Sequence, residues 1–348
     1  MRPFTLVFPP TDGLPEVRYH ILTNSGGASV MLSSLGAGIV GIWVPDRDGK
    51  LADVVLGYKD HKSYLADGPC AGKVPGRFAN RIAHGRFVID GREYHLAINN
   101  GPNALHGGPT GFQNRVWESR LTANGGIEFS YFSADGEEGY PGNLCVKALY
   151  TWDDDNRLTL RLTAQTDAPT VVNLTNHTYF NLDGEGAGSV LNHRLLLNAS
   201  HFLPTDDTLI PTGELAPVAS TPMDFTSSKP LGQDINADFE PLKFGKGYDH
   251  CFAIDGYRKG AMRHAATLHS PLSGRTLEVS TTQPGVQLYT GNWLQGCPES
   301  ISGGEYADYS AVALECQGFP DAPNKPDFPS ALLRPGETFD ETIEFKFS

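Results

Sequence analysis

The chain has 348 residues, of which 39% are hydrophobic, enough for a large core. Its 27 basic and 40 acidic residues give a formal charge of −13, which argues against nucleic-acid binding and mildly against anionic membranes and heavily phosphorylated substrates. The five cysteines are widely spaced and form no CxxC motif, so we expect reduced thiols rather than a disulfide framework or a zinc site. With no apolar run typical of a signal peptide or a membrane span, we expect a cytoplasmic protein.

Short alternating runs separated by glycine and proline predict many strands and few helices. One short helix is predicted at His61–Ala66, and Asp90-Gly91 between two runs indicates a hairpin. Pro204–Phe225 is rich in Pro, Thr and Asp, but similar strands flank it, so we interpret it as a surface connection within one domain, residues 1–348. In chain order, the predicted strands are Phe87–Ile89, Glu93–Ile98, Ile127–Ser133, Leu158–Ala164, Leu195–Asn198, Thr267–His269, Leu277–Thr281 and Thr342–Phe347.

The stretch Asn173–Leu182, NLTNHTYFNL, also alternates like a half-buried strand. One predicted face is mostly apolar, and the other carries only polar and aromatic residues, with His177 in its middle. Such a face suits a wet groove that hydrogen-bonds a polyol. The alternative is a solvent-facing strand whose histidine has no function.

A second strand of interest begins at Val312. Glu315 and Gln317 share one face there, while the residues between and beside them are apolar. A carboxylate in an otherwise apolar strand needs partners, because burying an unpaired charge is costly. Glu315 is therefore a candidate functional residue, although a structural ion pair gives the same pattern.

Four further polar residues stand in short segments that could contact a sugar. Arg81, in GRFANRIAHGRF, can donate two hydrogen bonds to neighbouring hydroxyls, and Asp249, in GYDHCF, can accept from two. His106 precedes two glycines, so backbone can approach a ligand there. Gln287 lies on the polar face of QPGVQLYTGNW. Taken singly, Arg81 is more typical of a surface turn and Asp249 of a cap or turn, and the alternative for His106 is a loop histidine before a flexible turn.

Motifs for metals and phosphates are missing. The 11 histidines form neither HExxH nor His-x-His spacing, and no GxSxG or Walker loop occurs. We therefore expect no metal and no cofactor.

Taken together, seven segments resemble the aldose 1-epimerase, or galactose mutarotase, family. They occur in the family's order and extend from about residue 25 to the C-terminus. Cys251 stands where the family often has Asn, and Lys325 where it often has Gln, and neither coincides with a candidate site residue. The matching segments are GRFANRIAHGRF, NALHGGPTGF, DGEEGYPGNL, NLTNHTYFNL, GYDHCF, QPGVQLYTGN and LECQGFPDAPNKPDFPS.

The resemblance implies an all-β fold, a large twisted antiparallel β-sandwich of the galactose mutarotase type with an open sugar-binding cleft. It implies that His177 is the general acid and Glu315 the general base of anomer exchange in hexoses such as galactose and glucose. We prefer Gln287 over Gln283 as the family's binding glutamine because its strand face is polar. The residues that would bind substrate hydroxyls are Arg81, His106, Asp249 and Gln287, with Asn80 close by.

The residue types fit this chemistry independently. Ring opening needs one base for the C1 hydroxyl and one acid for the ring oxygen, and an ionised Glu315 facing a protonated His177 would supply both. A pair of carboxylates would instead have indicated glycoside hydrolysis. The alternatives are a non-catalytic sugar-binding module, a lyase or hydrolase on a related sandwich, and a sugar-phosphate epimerase. The sequence leaves open the preferred aldose and whether the protein is a monomer or a homodimer.

Overall fold

Two antiparallel sheets face each other across the main core in the computed structural model, which describes residues 3–10 and 15–348. In spatial order, the nine-stranded sheet contains Glu118–Leu121, Ile127–Ser133, Leu144–Trp152, Arg157–Thr166, Phe339–Phe347, Thr276–Thr281, Arg263–His269, Arg194–Leu197 and Lys229–Pro230. The six-stranded sheet contains Tyr179–Phe180, Val312–Gln317, Gly285–Tyr289, Asp249–Ala253, His201–Phe202 and Ala216–Pro217.

The alternation of side chains along these strands explains the sandwich. On Arg157–Thr166 the leucines at every second position are buried, and the residues between them are more exposed. The opposite sheet contributes Leu288 and Leu314 to the same core cluster. The long strands of the two sheets therefore bury side chains between the sheets, whereas short edge strands such as Ala216–Pro217 contain no fully buried residue. The predicted all-β sandwich is confirmed.

A third sheet and several small pairs complete the described strands. The five-stranded sheet contains, in order, Phe4–Phe8, Val17–Thr23, Ser29–Ser33, Gly38–Pro45 and Leu51–Asp53. Three two-stranded pairs are Thr170–Val171 with Leu332–Leu333, Arg81–Ile82 with Ala104–Leu105, and Arg86–Ile89 with Arg92–His95. The 3-10 turns are Ala83–Gly85, Phe112–Asn114, Glu137–Gly139 and Ala322–Asn324.

Two short α-helices occur in the described residues. His61–Ala66, as predicted, begins after Asp60, whose side chain accepts a hydrogen bond from the Ser63 N–H at 2.8 Å. The second, Glu240–Gly245, was not predicted; it has a proline in its first turn and ends at Lys246 in the left-handed conformation. No helix in residues 3–10 or 15–348 is long and apolar enough to span a membrane.

The eight predicted strands all coincide with observed ones; the bounds of Ile127–Ser133 are the same, and the end points of the others differ by at most four residues. The predicted hairpin pairs Ile89 with Arg92 around Asp90-Gly91, both at positive φ, as a tight turn requires. Pro204–Phe225 contains one short strand, Ala216–Pro217, that joins the edge of the six-stranded sheet.

The prediction of one regular strand at Asn173–Leu182 is wrong. Only Tyr179–Phe180 is a strand, because this stretch changes its backbone partners as it runs. Its start bonds to Arg77 and Ala79, His177 bonds to Gly72 and Lys73, and Tyr179–Phe180 pairs with Val312–Gln317. No single neighbour follows it long enough to form a ladder.

Its polar face is also buried rather than solvent-facing. Asn173 donates to the Ala79 carbonyl at 3.0 Å, and the Thr175 hydroxyl donates to the Cys316 carbonyl at 2.6 Å. These side chains fix backbone instead of lining a groove. From this face the cleft receives His177 and Tyr179.

Candidate active site

The outer face of the six-stranded sheet forms the floor of a cleft. Glu315 lies directly opposite Gln287 in the pairing of two strands, and Asp249 lies opposite Tyr289 in the next pairing. The residues between them, such as Leu314, point into the core. Because side chains alternate along a strand, the same strands that build the sandwich carry these polar groups on the other face.

One wall of the cleft is the ribbon that pairs Arg81 with Leu105. Asn80 and His106 adjoin this ribbon with φ of 65° and 51°, in the left-handed region. The following Gly107 has φ of 78°, and a Cβ there would lie 1.9 Å from the Gly76 carbonyl oxygen. A side chain at that position would push the two loops apart, so this glycine is required for the wall.

These elements enclose a cavity of about 340 Å³. That volume is at the lower end of the range for small-molecule sites. The residues that line it are Gly68, Pro69, Asn80, Arg81, Asn100, Leu105, His106, His177, Tyr179, Asp249, Tyr289, Trp293 and Glu315.

His177 and Glu315 meet within this cavity. The imidazole Nε2 lies 3.4 Å from the carboxyl Oε1, and the two side chains are 6% and 2% exposed. Nδ1 of His177 and Oε2 of Glu315 have no hydrogen-bond partner among the described residues. The pair therefore brings one proton donor and one acceptor together at a point where both side chains are almost fully buried.

Burial changes the expected resting protonation of this pair. Desolvation lowers the pKa of His177 to about 4, although its backbone hydrogen bond and Asp249 oppose the shift. Desolvation, followed by the Asp249 charge, raises the pKa of Glu315 well above its usual value, and Arg81 opposes this. Removal from water disfavours both charged forms, so burial of the pair opposes the expected protonated imidazole facing an ionised carboxylate.

His106 is held as a neutral hydrogen-bond donor. Its Nδ1 accepts from the Asn80 N–H at 3.1 Å, so in the neutral ring the proton is on Nε2. Desolvation, together with the nearby His177 and Arg81, lowers its pKa well below the usual value. The ring meets that of His177 edge to face at 5.3 Å.

Arg81, Asp249 and Gln287 form a connected polar group. The guanidinium Nε donates to Asn100 Oδ1 at 3.0 Å, and Nη2 lies 3.7 Å from Asp249 Oδ2. Gln287 Nε2 donates to Asp249 Oδ1 at 2.7 Å. Gln283, in contrast, donates to the Leu174 carbonyl at 2.9 Å within the core.

The seven predicted site residues are thus brought together, six in the lining and Gln287 behind Asp249. The aromatic wall of the cavity was given no role from the sequence. The ring centroids of Tyr179 and His177 lie 4.8 Å apart in a stacked pair, and those of Tyr289 and Trp293 lie 6.3 Å apart. The adjacency of Tyr289 and the half-exposed Trp293 within one glycine-containing segment was the available signal. Across residues 3–10 and 15–348, no three or more His, Cys, Asp or Glu side chains are grouped to hold a metal.

Comparison with known proteins gives consistent results. A family model described as aldose 1-epimerase matches residues 19–346. Galactose mutarotase from Bos taurus is 48% identical over 319 residues, 92% of this chain and 91% of the relative. Aldose 1-epimerase from Escherichia coli K12 is 39% identical over 340 residues, covering 97% and 96%. The crystal structure of an aldose epimerase homologue from C. elegans aligns with a TM-score of 0.87 at 33% identity, covering 95% of this chain and 98% of that one.

Proposed function

Because this chain belongs to the aldose 1-epimerase family, it is an isomerase that interconverts the α- and β-anomers of aldose sugars, and we propose that its substrates are free hexoses such as galactose and glucose, with His177 as general acid and Glu315 as general base. The observation that carries these roles is the 3.4 Å approach of the two side chains inside the cavity. Galactose as a substrate is supported by the relatives named galactose mutarotase.

The proposed reaction moves two protons and breaks one ring bond. Glu315 removes the proton from the C1 hydroxyl while His177 gives one to the ring oxygen, and the C1–O5 bond opens to the free aldehyde. Rotation about C1–C2 presents the other face of the carbonyl. The ring oxygen then attacks C1, His177 takes its proton back, and Glu315 returns a proton to the C1 oxygen.

Sugar binding is expected to set the charges that this reaction needs. A C1 hydroxyl that donates to Glu315 stabilises its carboxylate, which opposes the effect of desolvation on its pKa. The proton then resides on His177 without any change in the net charge of the pair. The two apparent pKa values therefore belong to the pair and not to either residue alone.

The remaining hydroxyls have partners in the wall and floor. Arg81 and the His106 Nε2–H offer donors, and the Asp249 carboxylate offers acceptor positions beyond those used by Gln287. Asn80 adjoins them, although its Oδ1 already accepts from the Arg81 N–H at 2.8 Å. Vicinal hydroxyls suit such alternating donors and acceptors.

An unphosphorylated substrate fits the charges better than a sugar phosphate. Among the lining residues that the structure describes, Arg81 is the only Lys or Arg, and its guanidinium already faces Asp249 at 3.7 Å. A phosphate would meet that carboxylate and Glu315 with no additional cation to bind it.

A cytoplasmic location also remains a proposal. The five cysteines of the chain are free, and Cys70, Cys251 and Cys316 are buried. Unpaired thiols are typical of a reducing compartment.

The single domain over residues 1–348 is supported by the family match over 19–346.

Polarimetry on freshly dissolved α-D-galactose and α-D-glucose tests the activity directly. We expect the enzyme to bring the rotation to its equilibrium value faster than the uncatalysed control. A rate equal to the control for both sugars would refute the proposed substrates.

Proton NMR in heavy water tests which bond the base breaks. Aldose–ketose isomerisation removes a proton from carbon and needs an oxyanion site or a metal to stabilise the enediolate. Here only hydroxyl protons move, so the C1 and C2 proton signals should keep their full intensity while the anomers equilibrate. Deuterium at C2 or a ketose signal would mean that Glu315 and His177 act on carbon.

A further inference from the structure

A buried ion pair lies behind the cleft and takes no part in the reaction proposed above. Lys73 Nζ is 2.5 Å from Asp67 Oδ1, and the two side chains are 1% and 0% exposed. Nζ also donates to the Tyr64 carbonyl at 2.5 Å and to Asn114 Oδ1 at 3.5 Å, while Asp67 Oδ2 accepts from the Ala71 N–H at 2.6 Å. Each charged group is therefore fully hydrogen-bonded, which is the condition under which a buried pair is tolerated.

Such a pair is a weak source of stability. Taking each ion out of water costs several kcal/mol, and an apolar pair of similar volume often serves the fold equally well. Lys73 is also tightly enclosed, because a Cβ at Gly36 would lie 2.8 Å from its Cγ. The stability of the fold therefore does not explain the pair, and its contacts near the cleft are the place to look for its role.

Two sets of contacts connect the pair to His177. The Gly72 N–H donates to the His177 carbonyl at 2.9 Å, and the His177 N–H donates to the Lys73 carbonyl at 2.9 Å. In addition, the loop between the two charged residues carries Pro69, whose carbonyl accepts from the Tyr179 hydroxyl at 3.0 Å. The Tyr179 ring in turn stacks on the imidazole at 4.8 Å, with 29° between the planes.

We propose that Lys73 is a positioning residue for the general acid, because its ion pair with Asp67 holds the loop and the backbone segment that fix the imidazole of His177. The ammonium group donates both to the Tyr64 carbonyl and to Asp67, at the start of the 67–71 loop. Without it, the loop loses this attachment. Tyr179 then loses a fixed partner for its hydroxyl, and the ring that packs against His177 is free to shift. The inference rests on the proposed role of His177 in proton transfer.

The charge of Lys73 also acts on the imidazole. Desolvation is the main cause of the low pKa of His177, and Lys73 lowers this pKa further, whereas the backbone hydrogen bond and Asp249 raise it. Loss of the Lys73 charge should therefore raise the pKa of His177. The titratable and charged groups around the imidazole are Glu315, His106, Asp249, Tyr179, Tyr289 and Lys73.

The test compares Lys73→Met with the double variant Lys73→Met/Asp67→Asn. The double variant removes both charges, so no unpaired buried carboxylate is left to unfold the protein, and Asn keeps an oxygen for the Ala71 N–H. A 1 Å misplacement can cost about 10²-fold, so we expect kcat for galactose to fall by about 10- to 100-fold. KM should change less than kcat, because Arg81, Asp249 and Gln287 are not touched and only Gly68 and Pro69 of the loop line the cavity. In Lys73→Met, the acid limb of the pH profile should also move to higher pH.

Lys229→Met is the matched control. Lys229 also pairs with an aspartate, Asp234, at 2.7 Å and donates to a backbone carbonyl, that of Pro222, at 2.7 Å, but neither partner lies in a segment that lines the cavity. Its kcat and pH profile should match those of the parent. Circular dichroism and thermal melting establish that each variant is folded at the assay temperature.

The outcomes separate this inference from the proposed function. If His177→Asn keeps parental turnover, the role of His177 fails and the inference fails with it. If His177→Asn is inactive but the folded double variant keeps parental kcat and a parental pH profile, only the inference is overturned. A fall in activity that follows the unfolded fraction alone, with unchanged kcat per folded molecule, would also overturn it.

Discussion

Replacement of Glu315 by glutamine removes the proposed base with little change in shape. The side chain is 2% exposed and its Oε1 faces His177 Nε2 at 3.4 Å, so the amide occupies the same space but cannot accept the C1 proton. Loss of a general base typically lowers turnover by about 10²–10⁴-fold. Since each factor of ten corresponds to 1.36 kcal/mol, the barrier should rise by about 2.7–5.4 kcal/mol.

The same change should not destabilise the protein at neutral pH. Burial raises the folded-state pKa of Glu315 above its usual value of 4.5, so the folded state binds this proton more tightly than the unfolded state. The parent therefore loses stability from Glu315 as the pH rises above about 4.5 towards the folded-state pKa. The melting temperature of Glu315→Gln minus that of the parent should therefore become more positive as the pH rises from 4 to 8.

Polarimetry with α-D-galactose measures turnover, and titration calorimetry with galactose measures binding, which should persist in Glu315→Gln. Glu341→Gln is the control: Glu341 is 8% exposed and its pKa is also raised mainly by desolvation, but it bonds Thr282 outside the cavity. That variant should keep parental turnover. If Glu315→Gln stayed within a few-fold of the parent, Glu315 would not be the base.

Three further results are expected. Turnover against pH should be bell-shaped and wide, because the lowered pKa of His177 and the raised pKa of Glu315 set the two apparent pKa values of the pair, between which it holds one proton; activity that falls at neither end would contradict the shared-proton pair. Arg81→Ala and Asp249→Ala should weaken galactose binding in titration calorimetry, and unchanged affinity in both would place the hydroxyl site elsewhere. Prolonged chelation should leave activity intact, and a loss that only added zinc or magnesium restores would require a metal-dependent step.

The sandwich could be predicted from the sequence because its signals, alternating side chains and turn residues, are local. Alternation in segments such as Leu158–Ala164 favours a strand with one buried face, and Asp90-Gly91 between two such segments favours a tight turn. Glu315 and Gln287 could each be assigned to the polar face of its own strand from alternation alone, and the structure places them opposite each other on neighbouring strands.

The remaining features depend on long-range contacts that no local pattern contains. The stretch around His177 alternates like a strand, yet it bonds in turn to Arg77, Lys73 and the Val312–Gln317 strand, so it forms no continuous ladder. The Glu240–Gly245 helix is too short for a periodic signal. The protonation of His177 was also unpredictable, because residue type gives its ordinary pKa but only the fold gives its burial.

The burial of His177 and Glu315 makes proton transfer reversible within the site. In water, an imidazole binds a proton about a hundredfold more tightly than a carboxylate, since their ordinary pKa values are about 6.5 and 4.3. Burial lowers the first and raises the second, which moves the proton towards Glu315, while a bound hydroxyl that donates to the carboxylate moves it back towards His177. Anomer exchange needs this balance, because the base of ring opening becomes the acid of ring closure. Neither step requires a proton from solvent, because every proton that moves is exchanged between the sugar and these two side chains.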